Sequence, residues 1–521
     1  MKFLIPRILS LVLFFSSGFL FAQENTTTLR PDISFQSDST DVLEAALLTQ
    51  RQYAAPSTNF RAGHIQPLEI KDFRTMSAQG YAVQLPTEGL IPSPTIAKGV
   101  AYVSGGFGSK AFYAFEAMTG KTLWAVELDD DGPSSAVVVD DIVVFNTESC
   151  TIFALEAPTG KMRWSHWLGD PLMSMPAIAH GKVFTAYPAQ PREGREASGQ
   201  SVQTPPLLHS QPTKEKSPSV RRPTHVMIAF DLQTGSVLWQ KWIDGDIMSA
   251  PVIEGEEVFI TTFSGTLYTF HQGSGEILAA QAVRGTSAPV VVDRAVYLSQ
   301  RSDQQGQGVQ EALSQFTRGN MSKGRQAYAK PAPYLDKDVQ SRSELKSQAD
   351  GFDEGNGFGS GAPESAGGLF AAANIGQSNV SSLQAFQGSR ILHLEGRNYS
   401  TMGDELICTR ASDDKLLWQE SLPGDIQQAG GFLATPPLEV GGKILIATLA
   451  GDVLLFHAKN GKRLAQYKVG EPIRYQPVVE SGNIYLTTMS GKMHCIATGD
   501  SQLTGWPVWG ANAAPSNQRK P

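Results

Sequence analysis

The sequence has few cysteines and few charged residues. Only 3 of its 521 residues are cysteine, which excludes a disulfide-dense scaffold. Charged residues make up 18% and the net charge is −7, so neither a coiled coil nor a basic nucleic-acid-binding protein is expected. The 41% of hydrophobic residues is too high for a chain that is disordered throughout. Glycine is abundant, with 50 residues, and this indicates many short strands joined by tight turns.

The only long apolar run lies at the N-terminus. Lys2 and Arg7 precede an apolar stretch at 8–21, and Ala22 supplies a small residue at the cleavage position. This pattern is typical of a cleavable signal peptide over 1–22. An uncleaved anchor helix is the alternative, but the stretch is short for a span of about 20 residues. Because no cysteine follows that could carry a lipid, we expect a periplasmic or secreted protein without a transmembrane segment after cleavage.

The cysteines Cys150, Cys408 and Cys495 are far apart and odd in number. In an oxidising compartment one pair could form a disulfide and leave a free thiol. We favour the interpretation that all three are small buried side chains on strands. Their spacing does not indicate a metal site.

An eleven-residue phrase recurs along the chain. Complete copies occupy 114–124 (AFEAMTGKTLW), 154–164 and 229–239, and weaker copies occupy 269–279, 408–418 and 455–465. Residues before the Thr-Gly alternate as in a strand, and glycine at the turn can adopt a positive φ. Each phrase therefore predicts a β-hairpin, whose strands we name C and D. Four copies end in tryptophan, at Trp124, Trp164, Trp239 and Trp418.

A second hairpin, strands A and B, precedes each phrase. Strand A often begins at a small residue followed by proline, and a turn such as Lys98-Gly99 or Ser481-Gly482 leads into strand B. Four strands over roughly 40 residues are the spacing of a propeller blade. The predicted blades begin near Pro92, Ser134, Pro176, Pro251, Pro289, Leu383, Pro436 and Pro477.

These patterns predict an all-β fold, an eight-bladed β-propeller over 79–510 with four antiparallel strands per blade. The last repeat lacks its own D strand. Residues 80–85 resemble the D strand at 124–128, so we expect this N-terminal strand to complete the eighth blade and remove the open edge. Residues 23–78 are expected to form a linker with one short helix at 41–53, capped by Ser39 or Thr40. Residues 511–521 are expected to be a tail.

The repeated phrase resembles the pyrroloquinoline-quinone (PQQ) repeat family, whose mark is A-x-D/E-x-x-T-G-x-x-x-W. The resemblance covers about 80–510, and 506–510 is similar to a W-P-x-W-G segment near the end of such propellers. It implies that the four repeat tryptophans pack between adjacent blades as structural residues. It also implies one of two functional classes, quinoprotein dehydrogenases that hold PQQ with Ca²⁺ or non-catalytic propellers.

The non-catalytic class includes the propeller subunit of the outer-membrane β-barrel assembly machine. The alcohol-oxidising dehydrogenases carry a Cys-Cys pair over the cofactor, and this sequence has neither that pair nor a C-x-x-C-H haem motif. We therefore expect a protein- or peptide-binding scaffold without catalytic residues, cofactor or metal, and most simply a monomer. A PQQ-dependent dehydrogenase with a divergent site, and a sugar- or cation-binding propeller, are the alternatives.

One face of the propeller is expected to bind the partner. The B–C and D–A connections emerge together on this face, and they include insertions at about 189–223, 336–377 and 395–404, the first two interpreted as mobile loops. Acidic residues also recur just after each D strand, and each either caps its own turn or belongs to a shared ring. The candidate binding residues are Asp170, Met173, Met175, Asp246, Met248, Asp425, Glu471, Arg474 and Tyr475.

Overall fold

The computed structural model describes residues 39–512, with gaps at 88–89, 149, 170–174, 190–222, 263, 284, 286, 305–307, 319, 332–390, 426–432 and 509. The described chain begins with one helix and three strands, which precede the first blade. They are α1 (Ser39–Gln52), β1 (Ile65–Pro67), β2 (Arg74–Ser77) and β3 (Gly80–Gln84).

Eight antiparallel sheets form the blades. In blades 1 to 7 strands A to D follow in chain order, and in blade 8 the D strand is β3. Blades 1 to 4 consist of β4 (Thr95–Ala97), β5 (Val100–Ser104), β6 (Ala111–Glu116) and β7 (Thr122–Leu128); β8 (Val137–Val139), β9 (Ile142–Asn146), β10 (Thr151–Glu156) and β11 (Met162–Trp167); β12 (Ala177–Ala179), β13 (Lys182–Pro188), β14 (His225–Asp231) and β15 (Val237–Ile243); and β16 (Val252–Glu254), β17 (Glu257–Thr261), β18 (Thr266–His271) and β19 (Ile277–Ala282).

Blades 5 to 8 consist of β20 (Val290–Val292), β21 (Ala295–Gln304), β22 (Gly308–Thr317) and β23 (Asn320–Pro331); β24 (Ile391–Leu394), β25 (Arg397–Met402), β26 (Glu405–Arg410) and β27 (Leu416–Ser421); β28 (Leu438–Val440), β29 (Lys443–Ala447), β30 (Asp452–His457) and β31 (Arg463–Lys468); and β32 (Val478–Glu480), β33 (Asn483–Thr487) and β34 (Lys492–Ala497) with β3 as the outer strand. The fold is an eight-bladed β-propeller, as the repeat predicted.

Both ends of the chain contribute to blade 8. Strand β3 pairs antiparallel with β34, from Gly80 opposite Ile496 to Gln84 opposite Lys492. The N-terminal strand therefore closes the ring, as predicted. This pairing joins residues about 400 positions apart. Because β3 leads directly into blade 1, its pairing with β34 connects the first and last blades and covers the edge of β34.

The sixth blade begins later than predicted. Its first strand is β24, whereas Leu383 lies outside the described residues. Glu395 and Gly396 have φ values of 48° and 70°, the left-handed pair that also forms the A–B turn at Lys98-Gly99. The predicted B–C insertion at 395–404 is therefore wrong, because this stretch holds the A–B turn and strand B. No proline marks the start of β24, so the sequence pattern did not show it.

The repeat tryptophans join neighbouring blades. The indole N–H of Trp124 donates to the carbonyl of Ala157 in blade 2 (2.9 Å), and the ring lies over Gly160, where an added Cβ would come within 2.7 Å of it. Trp164 and Trp239 repeat this contact on Gly235 and Gly275 of the next blades. The same holds for Trp418 on Gly461. The Gly of each of these phrases therefore has two roles. It adopts a positive φ in the turn, and its lack of a side chain leaves room for the Trp ring of the preceding blade.

Blade 8 makes the same contact with a tyrosine. Tyr81 on β3 donates to the carbonyl of Ala117 in blade 1 (2.6 Å), and its ring lies over Gly120. Where the Trp is missing, polar contacts join the blades instead. Arg318 of blade 5 binds Glu257 of blade 4 (2.6 Å), and Lys443 of blade 7 binds Asp500 beyond blade 8 (2.8 Å).

The inner strands are joined around the centre of the ring. Ser93 Oγ donates to the carbonyl of Gln476 (2.7 Å) and Ser135 Oγ to the carbonyl of Ser93 (2.9 Å), which links blades 8, 1 and 2. The C-terminal segment adds to this wall. Trp506 is fully buried, pairs with Val479 of β32 and donates its indole N–H to Gln476 Oε1 (3.2 Å).

Residues 39–77 wrap around the outside of the propeller, and we call them the N-terminal belt. Helix α1 contacts β15 and β19, β1 pairs with β7, and β2 pairs with β3. Between them Phe60 packs against Tyr187 and Phe230. The belt therefore passes from blades 3 and 4 across blades 2 and 1 to blade 8. A linker was expected here, and the short strands were missed because each is only three or four residues long.

Candidate functional site

The B–C and D–A connections lie on the same face of the ring, which we call the mouth. Strand directions alternate within each blade, so these connections emerge opposite the A–B and C–D turns. The predicted insertion at 189–223 falls between β13 and β14, and that at 336–377 falls between β23 and β24. Residues 190–222 and 332–390 lie outside the described residues.

The candidate binding residues differ in their exposure. Met175, Met248 and Tyr475 are only 7%, 2% and 3% exposed, so little of these side chains is open to solvent. Asp246, Glu471 and Arg474 are half-buried and Asp425 is exposed. Asp170 and Met173 lie outside the described residues.

Carboxylates at three D–A junctions bind the hydroxyl groups of their own blade's B–C turn. In blade 2, Asp130 Oδ2 accepts hydrogen bonds from Thr147 and Thr151 (both 2.6 Å). In blade 4, Asp244 accepts hydrogen bonds from Thr262 (2.8 Å) and Thr266. We call this arrangement the carboxylate clamp. It ties the two connections of a blade together, so these acids support the mouth and do not form a shared ring.

Blade 8 has a charged version of the clamp. Glu471 accepts hydrogen bonds from Thr488 (2.9 Å) and Ser490, and it forms an ion pair with Lys492. Burial would raise the pKa of Glu471, but the hydrogen bonds from Lys492, Ser490 and Thr488 outweigh it and hold the pKa at about 2. Glu471 is therefore ionised under all ordinary conditions.

Asp246 is not part of a clamp. Its Oδ1 accepts a hydrogen bond from the backbone N–H of Ile247 (2.7 Å), while the clamp of the same blade uses Asp244. Protein surrounds the carboxyl group although some solvent reaches it, and this burial raises the pKa of Asp246 to about 7. Asp246 thus sits at the mouth as a carboxyl group that gains or loses its proton near neutral pH.

Arg474 and Tyr475 lie together at the entry to β32. The Tyr475 hydroxyl has no hydrogen-bond partner among the described residues. Burial raises the pKa of Tyr475, and the charge of Glu148 in the B–C turn of blade 2 acts in the same direction. Tyr475 is therefore a neutral hydroxyl whose surroundings include groups from two blades.

The clamp residues Asp130 and Asp244 were missed from the sequence. A signal for them exists, because the B–C turns repeat a Thr four residues before the start of strand C, at Thr147, Thr262, Thr448 and Thr488. The backbone N–H of the later residue binds the Thr hydroxyl, as in Thr151 to Thr147 (2.9 Å). The predicted repeat of acidic residues after strand D includes Asp246, whereas the residue that forms the clamp in this blade is Asp244.

Two features expected of a PQQ site with its Ca²⁺ are not found among the described residues. Cys150, Cys408 and Cys495 are buried free thiols in blades 2, 6 and 8, so they cannot supply the Cys-Cys pair. Among the residues that the structure describes, no three His, Cys, Asp or Glu side chains are grouped as metal ligands. Within the same residues, no helix has the length and apolar character needed to cross a bilayer.

Comparison with known proteins gives two enzymes that are similar to part of the sequence. Lupanine 17-hydroxylase of a Pseudomonas species is 31% identical over 115 residues, which cover 19% of this chain and 16% of that protein. The quinoprotein alcohol dehydrogenase PedH of Pseudomonas putida is 31% identical over 130 residues, which cover 22% of this chain and 21% of that protein. The chain thus matches only about a fifth of the length of these relatives.

Solved propellers are similar along most of the chain. BamB from Moraxella catarrhalis has a TM-score of 0.47 and 13% identity over 81% of this chain and 99% of that one. A quinohemoprotein alcohol dehydrogenase from Comamonas testosteroni has a TM-score of 0.46 and 11% identity over 90% and 81%. The family described as outer membrane protein assembly factor BamB matches residues 108–312 and 364–503. These two segments span more than half of the sequence, and the chain therefore belongs to that family.

Proposed function

We propose that this protein is a non-catalytic scaffold of the cell envelope that binds a protein or peptide at the mouth of the propeller. The carboxylate clamp is the observation that carries the proposal. Because Asp130, Asp244 and Glu471 are bound to the turns of their own blades, they hold the mouth in a fixed shape. A rigid frame that presents turns and loops is the usual architecture of a binding surface. Membership of the BamB family supports a protein partner and a place in the periplasm or envelope.

The candidate residues described at the mouth are Asp246, Asp425, Arg474 and Tyr475, and the nearby Met175 and Met248 are buried. Asp170 and Met173 lie outside the described residues. The described candidate residues include a cation, carboxyl groups and an aromatic hydroxyl, and they suit polar peptide groups. They do not include a nucleophile held by a base within hydrogen-bonding distance, which covalent catalysis would require.

Site-specific photo-crosslinking in the native envelope tests the proposal. A photoreactive residue at Arg474 or Asp425 is expected to give one discrete protein adduct. The matched control is Lys98, an exposed side chain in an A–B turn on the opposite face, which is expected to give no such adduct. The same adduct from position 98, or none from the mouth positions, would contradict the assignment of the face.

Deletions test whether the long connections contribute. Removal of 336–377 or of 189–223 is expected to weaken the adduct formed at Arg474 while thermal unfolding stays cooperative. If neither deletion changes the adduct, the insertions do not take part in binding.

A second candidate is a PQQ-dependent dehydrogenase, which the similarity to PedH favours over a fifth of the chain. Addition of PQQ and Ca²⁺, removal of unbound PQQ and a dye-linked alcohol oxidation assay distinguish it from the scaffold, because a scaffold retains no quinone absorbance and gives no activity. A sugar or cation ligand would instead raise the melting temperature when added alone.

A further inference from the structure

One position recurs on the outer edge of every blade that carries the docking aromatic residue. It lies three residues after the Trp or Tyr, in strand D. In blade 7 the backbone N–H of Val469 donates to the carbonyl of Gly451, which lies just before the neighbouring strand β30 (2.9 Å). This hydrogen bond therefore points into the blade. Because hydrogen-bonding direction alternates along an antiparallel strand, the backbone groups of Lys468 and Gln466 point away from the blade. We call the residue three positions after the aromatic one the edge position, and in blade 7, where Ala465 takes the place of the aromatic residue, the edge position is Lys468.

The N-terminal belt binds the edge position in four consecutive blades. The N–H of Gln84 in blade 8 donates to Phe73 O (3.0 Å), and the N–H of Trp167 in blade 2 donates to Arg61 O (2.7 Å). In blade 1 the edge position Glu127 pairs with Gln66 of β1.

In blade 3 a side chain replaces the strand. Gln50 of α1 accepts from the N–H of Trp242 (3.1 Å) and donates to its carbonyl (2.8 Å). The backbone groups at the edge position can therefore bind an added segment, and the N-terminal belt binds them in four blades.

The edge positions of blades 6 and 7 have no such partner among the described residues. They are Ser421 on β27 and Lys468 on β31, and both strands are the last of their sheets. None of the six residues in either strand is buried, whereas five of the seven residues of β7, which pairs with β1 of the belt, are buried. The belt thus covers one side of the rim, and no strand in the described part of the chain pairs with these two outer edges, which we call bare.

The bare edge of blade 7 is basic. Its C–D hairpin carries Lys459, Lys462, Arg463 and Lys468, and none of these cations forms an ion pair with a described residue. The single acid between 452 and 468 is Asp452, which accepts a hydrogen bond from Gln466 (2.9 Å). This local excess of positive charge stands on a chain whose net charge is −7.

We propose that the outer edge of β31 binds an acidic, extended segment of a partner protein by antiparallel strand addition. An unpaired strand edge is a template for a further strand, and backbone hydrogen bonds supply affinity while side chains supply selectivity. The four cations select an acidic segment and repel a second copy of the same edge. The edge lies on the outer rim, so this site is separate from the mouth and does not depend on the proposed function.

Fluorescence anisotropy with the full mature chain tests the site. The probe is a short labelled peptide of alternating Glu and Val, and the comparison peptide alternates Lys and Val. The Glu peptide is expected to bind, more weakly at about 0.5 M salt, and the Lys peptide is not. Replacing Lys468 with Pro removes an outward N–H without breaking the inner ladder, and Lys468→Pro is expected to weaken binding about fivefold to tenfold.

The matched control is Ser421→Pro, the same change at the edge position of blade 6, which should leave peptide affinity unchanged. A Glu peptide with alternate amides N-methylated needs no protein variant and is expected not to bind. Combining Lys459→Glu, Lys462→Glu and Arg463→Glu should lower affinity about tenfold or more and reverse the sign of the salt dependence, because salt then screens repulsion.

Four results would overturn the proposal. The first is that Lys468→Pro binds the Glu peptide as tightly as the unaltered protein does, and the second is that the Lys peptide binds as tightly as the Glu peptide. The third is a gain in affinity for the Glu peptide after deletion of 336–377. The fourth is a concentration-dependent dimer that Lys468→Pro abolishes. The third would mean that the chain's own insertion occupies the edge, and the fourth that a second copy does.

Discussion

Asp246→Asn is expected to stabilise the protein at neutral and alkaline pH. Burial raises the pKa of Asp246 from 3.8 to about 7. Asn keeps the shape of the side chain and the acceptor for the Ile247 N–H, but it cannot ionise. Since a folded-state pKa above the unfolded one means that the folded protein binds the proton more tightly, the stability that Asp246 contributes is full below pH 3.8 and is lost as pH rises through 7.

The size of the effect follows from the shift. Three pKa units correspond to about 4 kcal/mol, and we take about 2–4 kcal/mol at pH 8 because solvent partly reaches the carboxyl group. At pH 5 the free-energy cost of burying ionised Asp246 is less than half of its value at pH 8, because pH 5 is only slightly above the unfolded pKa of 3.8. The gain in unfolding free energy from Asp246→Asn should therefore be about 2 kcal/mol larger at pH 8 than at pH 5.

Urea unfolding of both proteins at pH 5, 6.5 and 8 measures this difference through the midpoint and the m-value. Glu471→Gln is the matched control from the same face. The pKa of Glu471 is lowered to about 2, so its interactions stabilise the fold above about pH 4.5 and are lost as pH falls toward 2. Glu471→Gln should therefore destabilise at pH 8. If Asp246→Asn gives no gain at pH 8, or the same gain at all three pH values, the reasoning about its burial is refuted.

Three further predictions concern the frame. Trp164→Phe leaves the buried carbonyl of Leu232 without its indole donor and should lower the unfolding free energy by about 2–3 kcal/mol; a melting temperature like that of the unaltered protein would contradict the docking role. Gln50→Ala removes both hydrogen bonds to Trp242 and should expose the belt to limited proteolysis before the blades, which mass spectrometry of the first fragments would show. Burial raises the pKa of Cys408 and Cys495 to about 11, so both thiols should react with a thiol reagent only after unfolding, and fast labelling of the native protein would refute their burial.

The sequence was most informative where one repeat copy could be compared with another. Blade number, hairpin turns and ring closure by residues 80–85 all followed from the repeated phrase, since each local pattern indicated the same fold. It was least informative where the copies diverge. Strand β24 lacks the proline signal, and β1 and β2 are too short to show a period, so their existence depends on edges provided by distant blades.

The sequence predicted where several acidic residues lie but not which groups they bind. The sequence placed an acidic residue after several D strands, and the structure puts Glu471 and Asp246 at the mouth. It did not reveal that Asp130, Asp244 and Glu471 bind turns of their own blades. Nor did it reveal that Met175 and Met248 are buried, because spacing along a strand does not report what packs against it.

The sequence by itself determined the four-stranded structure of the blade. Alternating hydrophobic residues, glycine turns and the Trp phrase are local patterns, and together they fit within one repeat of about 40 residues. Only the tertiary structure decided which groups meet across blades. The Gly and Trp of one phrase are neighbours in the sequence, yet Gly160 contacts Trp124 from the preceding blade. The belt binds blades 8, 1, 2 and 3, and no described strand pairs with the outer edge of β31. The reason is physical: these contacts join residues that the closed ring brings together and that no local pattern can specify.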